Sequence, residues 1–136
     1  METPSKSTAL EAVNKYQEIL KHISTWMDDS AETLLVWSEN LGLSRTAISN
    51  KKHGRREWKP SEIRDVLRVL KKDTSIVDNY MQVIDNLDRM IAERGYKKQF
   101  FYNKCGVTNN QIAYRARRGS YETWEIEEIK ALVDAL

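Results

Sequence analysis

Laid on itself with a shift of 64 places, the chain matches its own apolar skeleton. Tyr16 falls on Tyr80, Leu20 on Ile84, Met27 on Ile91, Trp37 on Phe101 and Leu41 on Cys105. The same shift sets Gly42 on Gly106, Leu43 on Val107, Ser44 on Thr108 and Ile48 on Ile112. One inserted residue later Gly54 meets Gly119; after a second, Trp58 meets Trp124, Ile63 Ile129, Val66 Leu132 and Leu70 Leu136. Repetition of this kind means that one packing unit is used twice. Matches fall on apolar and Gly positions while polar ones differ, as expected of two copies that share a core and face different partners. A chain of 136 residues has room for two such units, since the smallest self-folding domains run about 55–65 residues.

Apolar residues within each copy recur at three- and four-residue steps, which predicts amphipathic helices and an all-α fold. In the first copy Leu10, Val13, Tyr16, Ile19, Leu20, Ile23, Trp26 and Met27 mark a helix over residues 9–28, with Ser7 or Thr8 able to cap it. A second helix over 32–41 ends at Gly42, a C-terminal glycine of the positive-φ type. Ser44 is a good N-cap for a third helix, Arg45–Lys52. After the 53–56 loop, Lys59-Pro60-Ser61-Glu62 opens a fourth helix running to Leu70. The second copy repeats the order over 77–94, 97–105, 109–117 with Thr108 as cap, and 124–136. Four to five short helices per copy follow, with a tail over 1–8, domains over 9–72 and 77–136, and a linker over 73–76.

Several classes are excluded early. No apolar stretch reaches the ~18 residues of a membrane span, and the N-terminal METPSKSTAL lacks the apolar core of a secretory signal. The expected location is cytoplasmic, on the nucleoid. One cysteine, Cys105, allows no internal disulfide and no multi-Cys zinc site. It takes the place of Leu41 and is read as a small buried hydrophobe. Trp26, Trp37, Trp58 and Trp124 are read as core or core-edge residues, and His22 and His53 as surface ones. No nucleophile–base pair or convergent carboxylates point to an enzyme, and nothing implies a cofactor, metal or small-molecule effector.

The net charge of +2 hides a strong local bias. Residues 44–72 hold ten basic side chains against three acidic, and residues 97–118 hold six basic and none acidic. Two basic patches on a near-neutral chain predict two anionic contacts.

A helix, a tight Gly-containing turn and a short N-capped helix form a helix-turn-helix, whose second helix can lie in the major groove of duplex DNA. Here the motif occurs twice in register, as Leu41-Gly42-Leu43-Ser44 with Ile48 and as Cys105-Gly106-Val107-Thr108 with Ile112. The segments beginning at Thr33 and Lys97 resemble the lambda-repressor-like (Cro-type, Xre) helix-turn-helix family. That resemblance implies two tandem compact all-α DNA-binding domains related by a pseudo-two-fold axis. By position it implies that Arg45, Thr46 and Asn50 in the first copy, and Asn109, Asn110 and Tyr114 in the second, read bases. Thr33 and Lys97 match positions that hold phosphate. Ser38 fits the small residue the family favours at the fifth motif position, whereas Tyr102 does not; Lys51 and Arg115 stand where the family often has an apolar residue.

Base chemistry agrees with this assignment, because Arg pairs with guanine and Asn with adenine in bidentate fashion. Lys51, Lys52, Arg55, Arg56, Arg115, Arg117 and Arg118 are expected on phosphates, supplying affinity without sequence information. The expectation is a transcriptional regulator, repressor-like, reading two unlike half-sites about one helical turn (~34 Å) apart. A homodimer is possible. The alternative is a protein-interaction module in which one copy no longer binds DNA, a reading that Tyr102 favours for the second copy.

Overall fold

The computed structural model describes residues 3–107 and 121–136, and among these the chain is all-helical, with no strand. Among the described residues seven α-helices follow in order: α1 (Lys6–Asp29), α2 (Leu34–Leu41), α3 (Arg45–Lys52), α4 (Pro60–Val69), α5 (Ser75–Glu93), α6 (Lys98–Lys104) and α7 (Ile126–Ala135). A single 3₁₀ turn, Tyr121–Thr123, precedes α7. Helix α1 starts earlier than its apolar stripe. Ser5, not Ser7 or Thr8, takes the capping role, its Oγ accepting the Thr8 amide at 3.2 Å.

The chain divides into two compact units, Tyr16–Asp78 and Met1–Lys15 with Asn79–Leu136. Residues 6–15 of α1 therefore belong with the second half of the chain. In the Tyr16–Asp78 unit the core is built from Tyr16, Ile19, Ile23, Met27, Trp37, Ile48, Trp58, Ile63, Val66 and Leu67, all at most 6% exposed. Helix α2 packs against α3 and α4. Burying side chains of this size contributes about 1.5–3 kcal/mol each.

The other unit has its own core, in which Ala9, Val13, Leu87, Ile91, Phe101, Ile129, Leu132 and Val133 are completely buried. Arg94 Nη1 donates to the terminal Leu136 carbonyl oxygen at 2.6 Å, and Thr3 Oγ1 donates to Glu93 at 2.7 Å. Local devices recur between the halves. Trp37 and Phe101 are both buried, and Gly42 and Gly106 both take positive φ, 65° and 81°. Before α4 the Lys59 amide donates to Glu62 Oε1 at 2.9 Å; before α7 the Glu125 amide donates to Glu128 Oε1 at 3.0 Å. In both cases a glutamate in the first helical turn reaches back to satisfy an amide at the helix start.

Candidate nucleic-acid interface

The corner between α2 and α3 is assembled from short-range parts. Thr33 opens α2, its Oγ1 accepting the Val36 amide at 3.3 Å. Gly42 ends α2 in the left-handed region, where a side chain would be strained even though open space surrounds it. Ser44 starts α3 by accepting the Ala47 amide at 3.0 Å. Ile48 is fully buried and fastens α3 to the core, and the N-terminal tip of α3 is left outward. Arg45 and Thr46, the expected base readers, are both exposed on that tip.

Asn50 is placed differently. It is half-buried, and its carbonyl accepts the Arg55 amide at 2.8 Å and the Arg56 amide at 3.4 Å. Its side-chain Oδ1 accepts from Arg55 Nη1 at 3.4 Å. In this arrangement Asn50 anchors the loop after α3.

Lys51 is not presented as a phosphate contact. Its side chain is only 9% exposed and forms an ion pair with Glu62, itself 11% exposed, while its Nζ lies 5.8 Å from the Trp58 ring centroid. The lysine side chain is thus mostly enclosed and is accommodated by a counter-ion. Lys52 pairs with Asp28, and its carbonyl accepts from Ser24 Oγ at 2.9 Å. Arg55 and Arg56 are exposed in the loop. Within this unit the ion pairs engage Lys21, Lys51, Lys52, Arg64 and Arg68, so Arg45, Arg55 and Arg56 stand outside them among the described residues.

In the second half of the chain Lys97 is exposed just ahead of α6. Phe101 is buried, Gly106 makes the turn and Val107 is buried. Thr108, Asn109, Asn110, Tyr114, Arg115, Arg117 and Arg118 lie outside the described residues. Tyr102 fills the small-residue position with a ring packed 5.2 Å from the Trp124 centroid. The Tyr121 hydroxyl donates to Asp88 Oδ1 at 2.5 Å and so accepts from the Tyr102 hydroxyl, while Lys98 Nζ lies 3.3 Å from Asp88 Oδ2. Burial is the main cause that holds both phenols above the ordinary tyrosine range; for Tyr121 the bond to Asp88 adds to it.

Other singled-out residues have simpler surroundings. Trp37, Trp58 and Trp124 are buried; Trp26 is half-buried, with His22 stacked on it at 5.7 Å and Lys72 Nζ 4.6 Å from its ring centroid. Cys105 is half-buried, and burial pushes its thiol up. Glu62 was legible in sequence only as a helix opener; its counter-ion lies eleven residues back on another helix. Among the described residues no group of three or more His, Cys, Asp or Glu side chains is placed to hold a metal, and no helix is long and apolar enough to cross a membrane.

Comparison with protein-family models, with curated proteins and with solved structures finds no match.

Proposed function

We propose that the chain is a sequence-specific duplex-DNA-binding protein of helix-turn-helix type, acting as a repressor-like transcriptional regulator. Two tandem lambda-repressor-like copies, pseudo-two-fold related, would read two non-identical major-groove half-sites. The observation that carries this reading is the α2–Gly42–α3 corner. One face of α3 is locked to the core through Ile48, and Arg45 and Thr46 stand exposed at its tip. The arginines that follow it, Arg55 and Arg56, supply positive charge beside a helix thin enough for the groove. Affinity comes from phosphate neutralisation and specificity from the tip.

The test is binding of a labelled duplex at several salt concentrations. Loss of two phosphate contacts in Arg55→Ala/Arg56→Ala lowers the log–log salt slope by about 2. An unchanged slope would remove these residues from the interface.

A second reading draws on the exposed apolar side chains at the starts of α2 and α6. Leu34 is 40% exposed, Leu35 48% and Phe100 62%. Apolar groups there suit a protein surface better than a phosphate backbone, and Tyr102 alters the same motif in the second copy. On this reading one copy is a protein-interaction module. Leu34→Ser/Leu35→Ser and Phe100→Ser then change association with protein and leave duplex binding intact.

A further inference from the structure

Lys51 sits in the last turn of α3 and Glu62 in the first turn of α4, with the 53–59 loop running between the two helices. Their ion pair closes the base of that loop. Glu62 also accepts the Lys59 amide at 2.9 Å, and the buried Trp58 ring packs beside the Lys51 ammonium. At the other end the Asn50 carbonyl takes the amides of Arg55 and Arg56. The loop backbone is thus held on both sides while its two arginine side chains remain exposed.

We propose that the Lys51–Glu62 pair is a positioning device for duplex binding. It fixes the loop so that Arg55 and Arg56 meet the phosphates, and Lys51 itself does not. The proposal rests on the duplex-binding reading above. Its physical basis is cost: swinging Lys51 out to a phosphate would leave Glu62 buried and unpaired, which the interior penalises heavily. The sign of one substitution separates positioning from simple charge. Removing the Glu62 carboxylate deletes a negative group, so long-range electrostatics alone would tighten DNA binding; loss of a positioning residue weakens it.

The experiment compares duplex affinity and salt slope for the wild-type chain, Lys51→Met, Glu62→Gln, the double variant and Arg55→Ala/Arg56→Ala. Urea unfolding and hydrogen exchange of the Arg55 and Arg56 amides accompany each. Lys51→Met and Glu62→Gln are expected each to weaken binding about tenfold, the double variant no further, as residues acting as one unit do. Amide protection in the loop should fall in all three while the remaining helices stay protected. Glu62→Gln binding as tightly as wild type or tighter, with Lys51→Met lowering the salt slope by about 1, would make Lys51 a phosphate contact and overturn the proposal. Should either single variant unfold, the uncharged double variant decides: wild-type affinity with protected arginine amides overturns the proposal, and weak binding with exposed amides supports it. Wild-type binding that Arg55→Ala/Arg56→Ala leaves unchanged overturns this proposal alone, whereas no duplex binding by the wild-type chain overturns it together with the function it rests on.

Discussion

The Ser38 hydroxyl donates to the Leu43 carbonyl at 2.5 Å, tying α2 from the inside to the turn that launches α3. Ser38→Ala leaves that half-buried carbonyl without its partner and should cost about 1 kcal/mol in urea unfolding. Tyr102, 64 positions later, satisfies itself against Trp124 and Tyr121 instead. Ser38→Tyr has no such pocket prepared for it and should cost more than Ser38→Ala; equal cost would mean that the two corners are interchangeable.

Gly42 isolates backbone strain from packing. Its φ is 65° and a Cβ there would meet nothing within 4 Å. Gly42→Ala should therefore destabilise by about 1–2 kcal/mol, the left-handed penalty for an L-residue. Gly42→Asn should cost less, since Asn tolerates that region. A neutral Gly42→Ala would contradict the turn geometry.

The Tyr102–Tyr121–Asp88 chain predicts a pH dependence with a definite sign. Both phenols are raised in the folded chain, chiefly by burial. The unfolded chain releases its phenolic protons near pH ~10 while the folded chain keeps them, so stability is complete below that pH and falls as pH rises further. Urea midpoints measured from about pH 8 to 11 should decline at the alkaline end, and Tyr121→Phe should flatten the decline. An identical slope in Tyr121→Phe would show that this cluster does not titrate as described.

Arg45 and Asn50 should part company in a binding assay. Arg45 is exposed at the tip of α3, and Arg45→Ala should cost about 1–3 kcal/mol at one base pair and relax specificity there. Asn50 is engaged by Arg55, so Asn50→Ala should weaken binding to all duplex sequences by a similar factor. A base-specific loss in Asn50→Ala would restore it to the reading face.

Much of this fold is legible in the spacing of apolar residues. The three- and four-residue steps of Val13, Tyr16, Ile19, Ile23 and Met27, or of Ile63 to Val66 and Leu67, reflect local helix geometry and need no knowledge of the partner face. Gly42 and Ser44 are equally local, because a left-handed residue and an N-cap are each chosen by their own backbone. What depends on distant neighbours is not visible in that way. Ser5, Ser7 and Thr8 are all capable caps, and no local pattern chooses among them; in the structure Ser5 accepts the Thr8 amide. Lys51 reads as a surface charge because lysine usually is one; its burial requires Glu62, which no helical period relates to it. Tyr102 stands out as a misfit in sequence, but its resolution depends on Asp88 from α5 and on Tyr121 and Trp124 from the turn before α7.

Selection from a pool of random duplexes with the purified full chain tests the central claim most directly. The account predicts enrichment of a bipartite sequence with two unlike halves centred about ten base pairs apart, one of them altered in Arg45→Ala. A pool that stays random, with binding that fades uniformly as salt rises, would contradict it and leave only non-specific attraction between a basic surface and a polyanion.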